Sequence, residues 1–368
     1  MCEIKTGVEL ELWVIDHSGR LCDGRDIADA HEQIIPEFIE PLVEIQTEPH
    51  ENELGLRRDL QTTLQTAMRA ASAEGKQLVP LGTPLTASDA SAHSERGRLF
   101  ETIYGDGVTS AKNCAGTHVH FEKDDVIDQL NLLTALDPAL ALLSTSPYYF
   151  GEHESDSSRA QAYRKKCGPE FRGFCDLWSY ADSLEEWRER VDHMFGVFKR
   201  LSNERGVPSE TVEEFFEPED TVLNPVRLRE CQPTVEWRAP DAALPSQIIQ
   251  VAIDVGQLVS QTGDKSIEYG SPGIRSDRIR LPEFSELQTL SQQAIRSGLG
   301  TVEVRKYLRK MGFDLSEYQP LSPQLNGPPT LDESEARRLR IEQAQRLRSD
   351  VEGLTEDSTQ SSPTILST

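Results

Sequence analysis

The first part of the chain alternates between apolar and polar residues. Between residues 7 and 15, one set is Val8, Leu10, Leu12 and Val14, and the other is Glu9, Glu11 and Trp13. A period of two places the two sets on opposite faces of a β-strand. Similar runs predict further strands over residues 42–48, 78–82, 114–122 and 234–238.

Other segments have apolar residues spaced three and four apart, which predicts helices. They are residues 26–39, 55–76, 124–145, 183–205, 245–262 and 283–311. Two glycines, Gly298 and Gly300, break the last of these. Because the strands do not alternate regularly with the helices, the pattern predicts an α+β fold rather than a doubly wound parallel sheet.

The pattern changes after residue 317. Residues 318–332 are rich in proline and lack apolar periodicity, which is typical of a linker. Residues 333–352 predict a charged helix whose arginines form a solvated face, and residues 353–368 are too polar to order themselves. The sequence therefore predicts a large domain over 1–317, a linker, a helix and a disordered tail.

The charge of the chain argues against two classes of partner. With 62 acidic and 38 basic residues, the formal net charge is -24, which repels nucleic acids and anionic membranes where no basic patch intervenes. No patch of useful size occurs, so we expect neither partner. Only ten of the basic residues are lysine, which indicates the strongly hydrated acidic surface of a halophilic protein; an ordinary acidic protein is the alternative.

The cysteines give no sign of an oxidising compartment. Six are scattered along the chain without a Cys-x-x-Cys pair, and no secretory signal accompanies them. The chain also has no run of 18 consecutive apolar residues, so the sequence predicts no transmembrane helix. Together these features predict reduced thiols and a cytoplasmic location.

Four predicted strands have a polar face made mostly of carboxylates and imidazoles. These residues are Glu9 and Glu11 on the first strand, Glu44, Gln46 and Glu48 on the second, His118 and His120 on the third, and Glu236 and Arg238 on the fourth. A solvated face usually mixes lysine, threonine, serine and arginine, whereas these positions contain no lysine. Carboxylates two residues apart on a strand, about 7 Å, repel one another unless a cation lies between them.

Hard oxygen ligands in this number suit Mg²⁺ or Mn²⁺, both of which also bind phosphate oxygens. The four strands therefore predict a metal site that handles phosphate. His118 and His120 also suggest a zinc pair, but they supply only two ligands and the chain has no His-Glu-x-x-His helix. Two packed histidines without a ligand are the other alternative.

The common nucleotide-binding signatures do not occur. The sequence contains neither a Walker A motif nor a Gly-x-Gly-x-x-Gly motif after a strand, so a nucleotide would need metal ions held by carboxylates to bind its phosphates. The turn at 270–273 is followed by Arg275, Arg278 and Arg280, which form either an anion contact or, as the simpler interpretation, a surface turn with solvated arginines.

Three segments resemble the type 2 glutamate-cysteine ligase (carboxylate-amine ligase) family. They are Gly7-Val8-Glu9-Leu10-Glu11, Gly116-Thr117-His118-Val119-His120-Phe121 and Val235-Glu236-Trp237-Arg238-Ala239-Pro240-Asp241. They occur in the family's order, and the resemblance extends from about Gly7 to Gly312. It implies a glutamine synthetase-like fold, in which a curved and mainly antiparallel sheet has the active site on its concave face and helices on the other.

The resemblance also implies roles for individual residues. The implied ligands of two or three Mg²⁺ ions are Glu9, Glu11, Glu37, Glu44, His118 and Glu236. Arg238 would face the transferring phosphoryl group, with Glu236 beside it. Arg159, Arg164 and His120 would contact substrate, since arginine binds carboxylate or phosphate groups with two hydrogen bonds. The chain departs from the family at 48–50 and 148–153, which affects the expected substrate and not the metal face.

The implied activity of residues 1–317 is the ATP-dependent joining of glutamate and cysteine through a γ-glutamyl phosphate. ATP and Mg²⁺, or Mn²⁺ in its place, would be the cofactors. One alternative is a ligase that uses another amine acceptor. A second is a metal- or nucleotide-binding regulator without turnover, which would tolerate loss of Arg238, Arg159 or Arg164. A homo-oligomer is compatible with the sequence, which does not specify the oligomeric state.

Overall fold

The computed structural model of the chain describes residues 4–88 and 90–357. Its strands are β1 (Thr6–Asp16), β2 (Ile34–Pro36), β3 (Leu42–Gln46), β4 (Lys76–Val79), β5 (Thr117–Glu122), β6 (Tyr148–Tyr149), β7 (Glu152–His153), β8 (Val226–Leu228), β9 (Thr234–Trp237), β10 (Ser266–Tyr269), β11 (Gly273–Ile274) and β12 (Arg278–Leu281).

The helices come from all parts of the chain. They are α1 (Arg25–Ala28), α2 (Glu53–Ala73), α3 (Glu95–Tyr104), α4 (Val108–Lys112), α5 (Val126–Ala135), α6 (Ser158–Lys166), α7 (Arg172–Cys175), α8 (Leu184–Glu204), α9 (Ser209–Phe215), α10 (Pro245–Val259), α11 (Phe284–Ser297), α12 (Val302–Lys310), α13 (Ser322–Leu325) and α14 (Glu333–Asp357). Within the described part of the chain, no single helix could cross a membrane; only α5 joined to the bent segment Asp137–Leu143 has the required length and composition.

The largest sheet has seven strands, with β1 at its centre. Its order is β2-β3-β1-β5-β9-β8, and β4 also pairs with β1. Every neighbouring pair in this sheet is antiparallel. The mixture of this antiparallel sheet with many helices confirms the predicted α+β class. The curvature of the sheet stays a prediction.

The apolar face of β1 lies in the hydrophobic core. Val8, Leu10 and Leu12 are at most 1% exposed, and helices α2 and α10 both contact the strand. Burial of side chains of this size contributes roughly 1.5–3 kcal/mol each. A shift of the pairing register of β1 by one residue would move all three side chains to the other face of the sheet. The core therefore fixes which side of the sheet Glu9 and Glu11 occupy.

Most predicted elements are confirmed, and one is wrong. The strand over 7–15 and the helices over 55–76, 183–205 and 245–262 are present, and the break at Gly298 falls between α11 and α12. The helix predicted over 26–39 does not form. Only α1 is helical there, and Ile34 instead pairs with Ile45 at the sheet edge. Pro36 ends that strand, because proline lacks the backbone N–H that would continue a helix or a strand.

Two further differences arise from local sequence. The helix predicted over 124–145 divides into α5 and the 3₁₀ segment Asp137–Leu143, since Pro138 can neither donate a helical hydrogen bond nor allow α geometry at the residue before it. Strand β8 was not predicted at all, because its three residues are too short to show a period. It pairs with β9 in an antiparallel hairpin.

Helix α14 packs against the large domain through contacts with α2, β4 and α10. Its Arg340 is only 1% exposed, so the predicted solvated arginine face is wrong at this position. The guanidinium donates to the carbonyl oxygens of Pro84 at 2.8 Å and Gly19 at 3.1 Å, and it pairs with Glu333 at 3.1 Å. The two carbonyl oxygens come from distant parts of the sequence, so the periodicity of the helix gave no sign of them.

The predicted domain boundaries stay predictions. Residues 318–332 contain the short helix α13 and the buried side chains of Tyr318, Leu321, Leu325 and Leu331. Of the predicted tail over 353–368, residues 358–368 lie outside the described residues.

We expect Arg340→Met to destabilise the fold by about 3–5 kcal/mol, because it leaves Glu333 and two backbone carbonyl oxygens without their buried partner. Urea denaturation measures the effect. Arg338→Met is the matched control: Arg338 lies on the same helix, its side chain is 63% exposed, and its one ion pair among the described residues is with Glu342. The control should change stability by less than about 0.5 kcal/mol. Equal effects of the two substitutions would contradict this account.

Candidate active site

The register of the large sheet gathers the predicted polar residues on one face. Glu11 lies opposite Glu44, Glu9 lies opposite His118, and His120 lies opposite Glu236. Directly opposed residues in an antiparallel pair have side chains on the same face. The prediction that separated segments converge is therefore confirmed for these four strands.

Three groups of side chains on this face have potential metal-binding atoms within 4.8 Å of one another. They are Glu11 with Glu37 and Glu44, Glu9 with Glu44 and His118, and Glu9 with His120 and Glu236. Every residue predicted from the resemblance to be a metal ligand belongs to at least one group. Glu48, predicted on the same face, lies beyond the end of β3 and is exposed, so the prediction is wrong for this residue.

Glu37 reaches the face from the sheet edge. It follows β2 directly, and its Oε2 accepts a hydrogen bond from the backbone N–H of Phe38 at 2.7 Å. No strand was predicted at this position, so the placement of Glu37 depended on the resemblance alone. The pairing of β2 with β3 is what brings it to Glu44.

Crowding of carboxylates perturbs the protonation of the first group. Burial and the nearby charge of Glu37 raise the pKa of Glu11 to about 8. Burial, followed by the charges of Glu9 and Glu37, raises the pKa of Glu44 well above its usual range. Without a cation, two of the three acidic groups thus favour their neutral forms. A divalent ion would reverse this preference.

The imidazoles of His118 and His120 lower the pKa of Glu9. Burial disfavours its charge, but His118 and His120 outweigh burial, and the pKa of Glu9 falls below its usual range. Nδ1 of His118 lies 3.1 Å from Oε2 of Glu9. Burial, assisted by the positive charge of Arg238, lowers the pKa of His118 to about 4. His118 is therefore neutral near pH 7, as a metal ligand must be.

Glu236 lies between two arginines. Arg227 donates to both of its carboxylate oxygens, at 2.6 and 2.9 Å, and Arg238 donates to one of them at 2.6 Å. Burial opposes its charge, but the two guanidinium groups hold the pKa of Glu236 well below its usual range. Arg227 was not predicted. Its position opposite Glu236 follows from the β8–β9 hairpin, which the sequence did not reveal.

Arg159 lies beneath the segment that leads into β5. It is 6% exposed, and its guanidinium lies 3.3 Å from the carbonyl oxygens of Arg238 and Ala239. A side chain at Gly116 would meet this guanidinium at 2.1 Å, which explains the glycine. Arg159 and Arg238 line a common recess of about 30 Å³, so the structure brings together the predicted substrate-binding and catalytic arginines.

Arg164 has a strong partner of its own. It donates two hydrogen bonds, at 2.9 and 2.5 Å, to Asp137, whose side chain is fully buried. It lines the recess shared by Arg159 and Arg238, and also a larger cavity on the side of α11. The pair with Asp137 fixes the orientation of Arg164. Contact with substrate stays a prediction for this residue.

The donor set fits Mg²⁺ or Mn²⁺. Five carboxylates and two histidines converge. Nε2 of His118 lies 3.7 Å from a carboxylate oxygen of Glu11, and Nε2 of His120 lies 3.3 Å from one of Glu9. Hard carboxylate oxygens that repel one another, together with imidazole nitrogens, form a site that a divalent cation would stabilise.

Two of the three turn arginines singled out in the sequence form ion pairs with nearby carboxylates. Arg278 pairs with Glu268 at 2.7 Å and with Asp277 at 2.6 Å, and Arg280 pairs with Glu268 at 3.1 Å. These pairs favour the simpler interpretation of the segment as a surface turn over an anion contact.

A family model agrees with this arrangement. The model of glutamate-cysteine ligase family 2 matches residues 5–266, a range that includes all the candidate site residues. No curated protein sequence matches the chain significantly.

Two solved structures show the same fold at low sequence identity. A bifunctional glutathione synthetase from Pasteurella multocida is 16% identical with a TM-score of 0.58; the match covers 95% of this chain and 52% of that one. A glutamate–cysteine ligase from Francisella tularensis, in complex with AMP, is 14% identical with a TM-score of 0.52, and the match covers 98% and 93% of the two chains. The chain thus spans about half the length of the first structure and most of the second.

Proposed function

The chain belongs to glutamate-cysteine ligase family 2, and on this basis we propose that it joins glutamate to cysteine at the expense of ATP, forming γ-glutamylcysteine. Family membership supports the coarser activity, an ATP-dependent carboxylate-amine ligase. The convergence of Glu9, Glu11, Glu44 and His118 on one face of the sheet carries the proposal, because it is the donor set that metal-bound phosphates require.

The proposed reaction has two steps. The γ-carboxylate of glutamate attacks the γ-phosphorus of ATP, which forms γ-glutamyl phosphate and releases ADP. The amine of cysteine then attacks the acyl carbon, and phosphate leaves as the amide forms. No protein nucleophile is needed, so none of the cysteines requires a catalytic role. Bound Mg²⁺ would neutralise charge on the phosphate groups.

The side chains of the face would divide the remaining tasks. Arg238 would stabilise charge that develops on the transferring phosphoryl group. Glu236 holds Arg238 at 2.6 Å, and Arg227 fixes Glu236 from the neighbouring strand. Arg159 would contribute positive charge to a carboxylate of the substrate. His120, whose Nε2 lies 3.3 Å from Oε1 of Glu9, would contact substrate or bind metal.

Release of phosphate from ATP tests the proposal. With glutamate and Mg²⁺ present, we expect release to depend on cysteine. Dependence on another member of a panel of amines would contradict the cysteine specificity and leave a carboxylate-amine ligase. No release with any amine would reject an enzyme and favour a metal- or nucleotide-binding regulator. Running the panel at low and at multimolar salt also tests the halophilic prediction.

Magnesium affinity should rise with pH. The pKa of Glu11 is raised to about 8, so at pH 7 binding of a cation must displace a proton from its carboxyl group. Affinity should therefore increase between about pH 6 and 8 and level off above that range, where the proton is already lost. Calorimetric titration of Mg²⁺ in buffers of different ionisation enthalpy measures the proton release. A flat profile would contradict the role of Glu11.

A further inference from the structure

A second cavity lies on the other side of α6. Its volume is about 410 Å³, within the range of roughly 300–1,000 Å³ that is usual for small-molecule sites. Helices α6 and α11 and the segment around α7 form its walls. The polar side chains that matter here are Arg164, Lys165, Arg172, Asp176, Gln288 and Gln292. None of the residues in the three acidic groups lines it.

The cavity is locally cationic in a chain of net charge -24. Arg164 is held in place by two hydrogen bonds to Asp137, and its other N–H groups remain for a ligand. Arg172 has no hydrogen bond or ion pair through its side chain within the described residues. Within the described residues, the Lys165 ammonium group donates one hydrogen bond, to the side-chain oxygen of Gln161 at 3.5 Å. Together these groups attract a carboxylate.

Groups of other kinds complete the lining. One oxygen of Asp176 accepts a hydrogen bond from the backbone N–H of Leu177 at 2.9 Å, and the carboxylate forms no ion pair within residues 4–88 and 90–357. Gln288 and Gln292 lie one turn apart on α11 and are exposed. Ser291 lies between them and is 2% exposed, and its hydroxyl has no hydrogen-bond partner among the described residues. Buried hydroxyl groups usually have a hydrogen-bond partner.

A cavity with free cations, one free carboxylate and two amides complements a molecule that has both a carboxylate and an ammonium group. We propose that it binds a small zwitterion, an amino acid or a dipeptide, at a site separate from the acidic face. Arg164 and Arg172 bind the ligand carboxylate, Asp176 binds its ammonium group, and the glutamine amides bind its backbone. The proposal does not depend on the reaction at the acidic face.

Calorimetric titration of the full chain without ATP or divalent metal tests the proposal. The probes are L-glutamate, γ-glutamylglycine and glutarate, which has the carboxylates but no ammonium group. Both zwitterions should bind at least about tenfold more tightly than glutarate, as expected for one added charged hydrogen bond. The tighter of the two zwitterions identifies the ligand as an amino acid or a dipeptide.

Four variants assign the binding to the cavity. Arg172→Met and Gln292→Glu should each weaken zwitterion binding about tenfold or more, the second by adding a repelling carboxylate. Asp176→Asn should lower the affinity for both zwitterions to the affinity for glutarate. Arg58→Met, at an exposed arginine of α2, should change nothing. Circular dichroism checks that each variant is folded.

Three results would overturn the proposal. The first is zwitterion binding that Arg172→Met and Gln292→Glu leave unchanged. The second is no binding of any probe at millimolar concentration. The third is loss of zwitterion binding in Glu11→Gln, which would place the probe on the acidic face. Since neither ATP nor metal is present, a failed phosphate-release assay leaves this result unaffected.

Discussion

Glu11→Ala should reduce ATP-dependent ligase turnover by about 10³-fold or more while the protein stays folded. Glu11 lies at the centre of the acidic face, with binding atoms within 4.8 Å of those of Glu37 and Glu44. Its removal relieves repulsion between carboxylates but takes away a ligand of the proposed metal site. Phosphate release and thermal unfolding with and without Mg²⁺ measure the two effects.

Glu48→Ala is the matched control, because Glu48 is exposed beyond the same sheet region and belongs to none of the three groups. It should keep normal turnover. Near-normal turnover of Glu11→Ala would reject the site assigned here. If Glu11→Ala loses its secondary structure, its activity says nothing about the site, and Glu11→Gln is measured in its place. The glutamine keeps an acceptor for the backbone N–H of Gly116.

The Gln variant also has a pH signature. Because the pKa of Glu11 is raised to about 8, the wild-type protein without metal loses stability as pH rises from the unfolded-state value towards about 8. Glu11→Gln has no proton to lose at this position. Its melting temperature should therefore exceed that of the wild type by a margin that grows between about pH 5 and 8 and then stays constant.

Arg238→Lys should reduce turnover by about 10²–10³-fold, the usual effect of losing one preorganised donor in an active site. Arg238 donates through Nη1 to Glu236 at 2.6 Å and lines the recess shared with Arg159. A lysine ammonium keeps the charge but lacks the planar fork that can hold a carboxylate and a phosphoryl oxygen together. The chemical step, measured in a single turnover, should slow more than ATP affinity changes.

Arg188→Lys serves as its control, since the Arg188 side chain is 53% exposed and, in the part of the chain that the structure describes, forms an ion pair with Glu230 alone. Turnover of this control should be normal. Full activity of Arg238→Lys would show that a positive charge alone suffices at this position, and it would contradict the proposed need for the planar guanidinium group.

The sequence by itself determined the two faces of the central strands. Alternation with a period of two needs no tertiary information, so Glu9, Glu11, His118 and Glu236 could be assigned opposite an apolar face from residue order alone. Three motifs in order then indicated the family, and the irregular order of strands and helices predicted the α+β class. The long helices α2, α8 and α10 could be predicted because their apolar residues recur every three or four positions over many residues.

Only the tertiary structure decided which of these faces lie beside one another and what surrounds them. Strand order and register depend on pairing between distant segments, and two of these, β2 and β8, are too short to show a period. That pairing places Glu37 against Glu44 and Arg227 on Glu236. The carbonyl oxygens that bind Arg340 and the carboxylate that binds Arg164 likewise come from other parts of the chain. A buried charge is satisfied by whichever groups the packed fold brings within hydrogen-bonding distance.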